Sequence, residues 1–155
     1  MSKETKQSVA QESARRKMKV LMLSSVYPRW SGDATPPFVQ NLAEAVVNSD
    51  VEVTVLAPHS CGAPFHECHE NLQVRRHLYV WPLGLQKLCY EGGMLVNFKT
   101  RPWTMLLLPG FFISQLLSAS WICWKWKPEI IHSHSIVPQG FTGMIVSCLF
   151  KIPHV

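Results

Sequence analysis

The stretch Lys127–Gln139, KPEIIHSHSIVPQ, contains the pattern that decides the fold. Lys127-Pro128 ends the preceding segment, because proline cannot continue a helix and biases the residue before it toward extended geometry. Glu129–Ile131 carries a β-branched pair, which is typical of a short buried parallel strand. A Pro-Gln-Gly turn and an apolar segment with helical character, Phe141–Phe150, come next. The stretch therefore predicts a strand, a turn and a helix in that order.

Two histidines, His132 and His134, lie where this strand is predicted to end. In an open α/β sheet, ligands bind in the crevice at the carboxyl ends of the strands. We expect the two rings to point to opposite faces of the strand, so that at most one of them faces a cleft. Each histidine taken alone is explained about as well by a ring that hydrogen-bonds to backbone carbonyls.

Upstream, the chain has the pattern of a strand–loop–helix–strand unit. Lys19–Leu23 predicts a central strand buried on both faces, and Val51–Ala57 predicts a second strand. Apolar residues recur at helical spacing between them and predict a helix at about 37–48. The intervening loop, Val26–Pro37, has Gly32 as its single glycine, so the G-x-G-x-x-G pattern of dinucleotide-binding enzymes is missing. We predict an α/β domain over residues 18–155, with a doubly wound parallel sheet and right-handed crossovers.

Composition and charge restrict the class of protein further. The 155 residues suffice for one domain, and charged residues make up 16% against about a quarter in an average soluble domain. Residues 1–17 are polar and basic and predict a disordered tail, with contact to an anionic membrane as the alternative. This start lacks the apolar core of a signal peptide, so we expect a cytoplasmic protein. The five cysteines are odd in number and scattered, which implies no disulfide framework.

A loop predicted between the second and third strands holds four residues of metal-ligand type. Their spacing matches no zinc motif, and no second pair follows, so we expect no metal site. A strand over Leu72–Trp81 follows this loop. The four residues are Cys61, His66, Cys68 and His69.

An acidic residue followed by two glycines, Glu91-Gly92-Gly93, forms the next candidate site. Paired glycines let the backbone adopt positive φ or approach a ligand closely. A carboxylate beside them is suited to accept hydrogen bonds from sugar hydroxyls. Taken locally, the same residues are better explained as a turn between a helix and a loop.

The segment Pro102–Trp124 carries no charge and has basic residues on both sides. Pro109-Gly110 predicts a helix from about Phe111 to Trp124, which at 1.5 Å per residue spans roughly 20 Å and is short of the roughly 30 Å hydrocarbon core. We therefore predict a helix that covers the sheet. The alternative is an interfacial helix, with membrane contact through 102–126 and tryptophans at headgroup depth.

The sequence resembles the N-terminal domain of family 4 glycosyltransferases with the GT-B architecture. The resemblance runs from about Lys19 to Val155, and four stretches carry it in order. They are KVLMLSSVYPRWSGDATPPFVQNLAEAV, VEVTVLAPH, YEGGMLVNFKTRPW and KPEIIHSHSIVPQGFTG.

This resemblance implies one half of an enzyme that transfers a sugar from a nucleotide-sugar to a glycan or lipid-linked acceptor. The N-terminal half receives the acceptor, while the donor domain and the catalytic residues are expected beyond Val155. By the same analogy, Gly32 and Asp33 approach the donor phosphates and the acceptor. Glu91, Gly92 and His134 line the acceptor side, with Gly93 beside them. No cofactor is implied apart from the nucleotide-sugar co-substrate, and no nucleic-acid partner.

Two other functions remain open from the residues alone. One is a flavodoxin-like module that binds a phosphorylated ligand without catalysis, and the other is a non-enzymatic membrane-associated protein organised by residues 102–124. The GT-B resemblance further implies that the chain is incomplete at its C-terminus. Ile152–Val155 predicts the start of another strand, and because this strand is cut off we expect the chain to be poorly stable in isolation. A peripheral location on the inner membrane face is a further expectation.

The resemblance generates a binding prediction. Because the donor domain is expected elsewhere and no phosphate-binding loop is recognisable here, residues 1–155 alone should not bind UDP- or GDP-sugars measurably. Isothermal titration calorimetry tests this expectation. A dissociation constant in the micromolar range, about −8 kcal/mol of binding free energy, would contradict it.

Overall fold

The computed structural model describes residues 17–155. The predicted tail, residues 1–17, therefore lies outside the described residues except for Lys17. The ammonium of Lys17 lies 3.2 Å from the carboxylate of Asp50.

A five-stranded sheet in the order β3-β4-β2-β1-β5 forms the centre of the domain, and all neighbouring strands are parallel except β3 and β4. The strands are β1 (Met18–Leu23), β2 (Val51–Pro58), β3 (His66–His69), β4 (Leu72–His77) and β5 (Ile130–Ser133). The helices are α1 (Phe38–Val47), α2 (Met94–Thr100), α3 (Leu108–Trp126) and α4 (Phe141–Phe150). Short 3₁₀ segments span Leu83–Leu85 and Pro102–Leu107, and an irregular turn with Val137 in extended geometry spans Ile136–Gly140. The predicted α/β class with a largely parallel sheet is confirmed.

Strand β1 has apolar side chains buried on both of its faces, as its continuous apolar sequence predicts. Val20 and Met22 pack in one layer with Val39 and Ala43 of α1. The opposite layer of buried side chains joins β1, β2 and β5 to α3 and α4 and consists of Leu21, Leu23, Leu56, Ala119, Ile122, Cys123, Ile131 and Val146. Each fully buried leucine of this kind contributes about 1.5–3 kcal/mol.

The segment 61–72, predicted as a loop, contains the edge strand β3. Its sequence, His-Glu-Cys-His, is polar and largely exposed, so it lacks the apolar alternation that marks a half-buried strand. The strand forms through antiparallel backbone pairing with β4 and through the ion pair between Glu67 and the buried Arg76. Strand β4 ends at His77 rather than at the predicted Trp81. Within residues 17–155, no three residues of metal-ligand type are grouped closely enough to hold a metal ion.

Helix α3 covers the sheet, as predicted, but it begins at Leu108 instead of Phe111. Pro109 and Gly110 lie in its first turn. Backbone N–H groups in the first turn have no partner within the helix, so the absence of one on proline costs no hydrogen bond there. At 1.5 Å per residue its 19 residues span about 28 Å, longer than the predicted 20 Å. Pro102–Trp126 is long and apolar enough to cross a membrane, and it is the single such stretch within residues 17–155. Length and composition alone do not distinguish it from the core helix of a soluble protein.

The end of the chain pairs with β5. Ile131 N–H donates to the Pro153 carbonyl at 2.9 Å, and Val155 N–H donates to the Ile131 carbonyl at 2.9 Å. The strand predicted to begin at Ile152 is thus parallel to β5. Helix α4 passes close to this pairing at Gly143, where a Cβ atom would lie 2.6 Å from Ser133 Oγ.

Gly110 provides a test of how α3 packs. A Cβ atom at this position would lie 2.7 Å from the backbone carbonyl oxygen of Tyr79, which cannot move as a flexible side chain would. We expect Gly110→Ala to lower the free energy of unfolding by roughly 1–3 kcal/mol through overpacking. This loss exceeds the gain of up to about 1 kcal/mol in helix propensity.

Urea denaturation measures the effect, and Gly84→Ala is the control because no atom lies within 4 Å of its added Cβ. Equal midpoints for the two variants would show that α3 does not approach Tyr79 closely.

Candidate functional site

The crevice of this sheet lies between the carboxyl ends of β1 and β5. From β1 the chain proceeds to β2 and β4 on one side, whereas β5 lies on the other side of β1. Open α/β sheets bind ligands at the point where the strand order reverses in this way. His134 N–H donates to the Leu23 carbonyl at 3.0 Å, which brings the ends of β5 and β1 together.

His134 lies at this crevice with one ring nitrogen unused. Its ring makes an edge contact with Phe38 at the start of α1, with centroids 6.1 Å apart. Nε2 is buried and has no hydrogen-bond partner among the described residues. Burial first, and then the nearby charge of His132, lower the pKa of His134 to about 4, so the ring is neutral at pH 7.

The expectation that His132 and His134 face opposite sides of the strand is wrong. Their rings stack with centroids 4.5 Å apart. Residues i and i+2 of a strand share a face, because successive side chains alternate. The two histidines therefore belong to one cluster, and both can be near the same ligand.

The loop after β1 is held by an ion pair that the sequence analysis did not identify. Arg29 donates to both carboxylate oxygens of Asp33, at 2.9 Å and 2.7 Å, and its backbone N–H donates to the same carboxylate at 2.9 Å. Thr35 Oγ1 donates to it as well, at 2.9 Å. These hydrogen bonds, those from Arg29 above all, lower the pKa of Asp33 well below its ordinary value. Asp33 is buried with its acceptors engaged, and Gly32 beside it has a φ of +79°.

Above the ends of β1 and β2 lies the segment that contains Glu91. The Tyr90 hydroxyl is within hydrogen-bond distance of the carbonyls of Tyr27, at 3.2 Å, and Pro58, at 3.1 Å. Asn97 Nδ2 donates to the Tyr90 carbonyl at 2.7 Å and so holds the turn from the side of α2. The Arg29 guanidinium lies 5.0 Å from the Tyr90 ring centroid. Arg29 therefore connects the Asp33 loop to the Glu91 segment.

The Glu91-Gly92-Gly93 turn has positive φ at all three residues, 62°, 107° and 86°. The glycines adopt this geometry without the steric cost of a side chain, whereas Glu91 does so at some cost. The Glu91 carboxylate is exposed and lies 3.2 Å from Arg101. The turn expected from the local residues is present, and it leaves the carboxylate free to face solvent or a ligand.

Two separate cavities contain three of the predicted site residues, whereas Glu91, Gly92 and Gly93 line neither of them. Gly32 and Asp33 line a cavity of about 890 Å³ between α1 and the β3–β4 edge, together with Trp30. His134 lines another of about 680 Å³. That second cavity is largely apolar, and its apolar side chains come from Ile136, Val137, Phe141, Met144 and Val155.

The sequence analysis did not identify several polar residues that hold this region together. Arg29, Asn97 and Arg101 are isolated polar residues whose partners are four or more positions away, so no local motif marks them. Of these residues, Arg29 alone has a signal in the sequence, because it stands four positions before Asp33 and has the opposite charge.

Comparisons with known proteins agree with this geometry. The sequence profile of the family described as "Glycosyl transferase 4-like domain" matches residues 35–155. Among solved structures, a sucrose-phosphate synthase from Thermosynechococcus elongatus is similar, with a TM-score of 0.57 and 16% sequence identity. The match covers 88% of this chain and 61% of that one, and at this identity it shows the fold. No curated protein sequence gives a significant match.

The structural match identifies the sheet as a Rossmann-like half of a GT-B fold, and the profile covers most of the chain. The chain belongs to the glycosyl transferase 4-like domain family.

Proposed function

We propose that this chain is the acceptor-side domain of an enzyme that transfers a hexosyl group from a nucleotide-sugar to a glycan or lipid-linked acceptor. Family membership supports the reaction class. In this proposal the donor and the stabilisation of the leaving diphosphate belong to a second domain, and this chain orients the acceptor hydroxyl. The nucleotide-sugar is a co-substrate, and no further cofactor is proposed.

The unpartnered Nε2 of His134 is the observation that carries the proposal. A buried polar atom without a hydrogen bond is costly, and a ligand hydroxyl at the crevice would satisfy it. Because its pKa is about 4, the ring is neutral at pH 7 and can accept or donate one hydrogen bond according to its tautomer. His134 is thus suited to position an acceptor hydroxyl.

Glu91 supports the same assignment from the segment above the ends of β1 and β2. Its exposed carboxylate can accept hydrogen bonds from sugar hydroxyls, with Arg101 holding it at 3.2 Å. Gly92 and Gly93 let the backbone come close to a sugar ring. Arg101 then acts as a positioning residue for Glu91.

The Arg29–Asp33 pair has a different role in this proposal. Since the Asp33 carboxylate already accepts hydrogen bonds from Arg29 and Thr35, it holds the loop in place and does not itself bind the ligand. The backbone at Gly32 is the part of this loop left to approach donor phosphates. Asp33 therefore enters the proposal as a positioning residue.

The cavity beside His134 favours a lipid-linked acceptor over a free glycan. Ile136 and Val137 are highly exposed in its wall, with Phe141 and Met144 next to them. Exposed apolar walls beside a polar anchor are typical of sites for ligands with an apolar part.

The loop assignment gives a stability prediction. Asp33→Asn should lower the free energy of unfolding by roughly 1–3 kcal/mol at pH 7, because it removes a charged hydrogen-bond partner of Arg29. The pKa of Asp33 is lowered by folding, so its contribution is present above the ordinary pKa of 3.8 and is lost as the pH falls below that value.

Urea titrations of both proteins at pH 7 and pH 3 measure the difference. We expect the gap between native protein and variant to shrink at pH 3. A gap that is the same at both values would show that the ion pair does not hold the loop.

A second prediction concerns the acceptor. In the assembled enzyme, Glu91→Gln and His134→Ala should each reduce kcat/KM for the acceptor by roughly tenfold to a hundredfold, as expected for the loss of one hydrogen bond to the substrate. Melting temperatures should stay near that of the native enzyme.

Glu52→Gln and His66→Ala are the matched controls. Glu52 is also a surface carboxylate beside a cation, at 4.0 Å from Lys19, and His66 is an exposed histidine on β3. Full activity of both Glu91→Gln and His134→Ala, with unchanged melting, would mean that these residues form only a turn and a strand end.

A further inference from the structure

We propose that the outer face of α3 binds an anionic membrane surface, with the helix axis parallel to the bilayer plane. This inference concerns where the domain works and does not depend on which acceptor it uses. It commits to a lipid bilayer with acidic headgroups as the partner.

The first observation is an unpartnered apolar stripe on α3, here called the outer stripe. Its four side chains are highly exposed although all are apolar: Ile113 56%, Leu117 65%, Trp121 48% and Trp124 62%. At 3.6 residues per turn they fall within an arc of about 80°. Soluble proteins rarely leave a continuous patch of this kind uncovered.

The opposite face of α3 packs against the rest of the domain. Phe111, Gln115, Ala119 and Ile122 are buried against the sheet side. Thr142 Oγ1 donates to Gln115 Oε1 at 3.0 Å, which fixes α3 to α4. Because the inner face stays on the sheet, the outer stripe can lie on a membrane surface while the domain remains folded, whereas spanning the bilayer would expose Gln115 to lipid.

The 3₁₀ segment that precedes α3 also exposes apolar side chains. Trp103, Met105 and Leu106 are all exposed there. Exposed apolar side chains therefore occur in both the 3₁₀ segment and α3, from Trp103 to Trp124. Trp103 and Trp124 lie at the two ends of this stretch, and tryptophan side chains prefer the depth of the lipid headgroups.

Charge around the stripe selects an anionic bilayer. Residues 102–124 contain no Asp or Glu, and Lys99 and Lys125 flank them. The Lys125 ammonium lies 4.3 Å from the Trp124 ring centroid, and the Arg75 guanidinium lies 5.1 Å from that of Trp121. Cations placed beside interfacial aromatics attract acidic headgroups, whereas the same cations would repel each other across an interface between two copies.

Vesicle flotation of the full chain tests the proposal, with vesicles of phosphatidylcholine alone or mixed equally with phosphatidylglycerol. We expect binding to the mixed vesicles, a blue shift of tryptophan fluorescence, and release at high salt, because salt screens surface charge. Absence of binding to the mixed vesicles would overturn the proposal.

Variants separate the stripe from other apolar surface. The double variant Leu117→Ser, Trp124→Ser should lose about tenfold or more in partitioning, because binding scales with buried apolar area. Trp81→Ser is the matched control, since Trp81 is an exposed tryptophan that is not part of α3. Circular dichroism melts verify that each variant is folded, and Trp124→Phe should restore most of the binding that Trp124→Ser loses.

Two outcomes would contradict the proposal. Equal loss with Trp81→Ser would mean that tryptophans bind lipid without regard to position. A concentration-dependent dimer, seen by light scattering and abolished by the double variant while vesicle binding persists, would assign the outer stripe to a second copy of this chain.

Discussion

The pairing of β1 with a parallel neighbour on each side is the constraint on which the rest of the structure depends. β1 pairs with β2 over six residues and with β5 over four, so its backbone groups are satisfied within the sheet. With both edges occupied and both faces apolar, β1 has to be covered by helices on either side. The crevice, α1 and the His134 cluster all take their positions from where this strand ends.

The sequence predicted the elements that follow from a continuous apolar run or a helical repeat. β1, β2, α1 and α4 are of this type, because burial itself produces the pattern that is read. β3 was missed because an edge strand is held by backbone pairing, which leaves no apolar signature in four polar residues. The start of α3 was placed too late because Pro109 was taken as a break, although proline is compatible with a first helical turn.

For the candidate site, the sequence identified residues but not their partners. Glu91 and Gly92 are marked by a family resemblance, and His134 is marked by the resemblance and by its position after a strand. Arg29 and Arg101 are not, since a salt bridge depends on which loops fold over the same strand ends. The stacking of His132 on His134 could have been predicted from the sequence, because residues i and i+2 of a strand share a face. The site residues themselves stay predictions until they are substituted.

The close passage of α4 over Gly143 has a consequence for how the domain tolerates change. Any side chain at this position would overlap the Ser133 hydroxyl and the imidazole of His154. Ser133 Oγ lies 2.8 Å from His154 Nε2, so a side chain at position 143 would disturb this contact between β5 and the end of the chain. Glycine at position 143 thus allows α4 to lie close to β5. A substitution at position 143 would first displace the side chains of Ser133 and His154, beside His134, because both contacted groups are side chains.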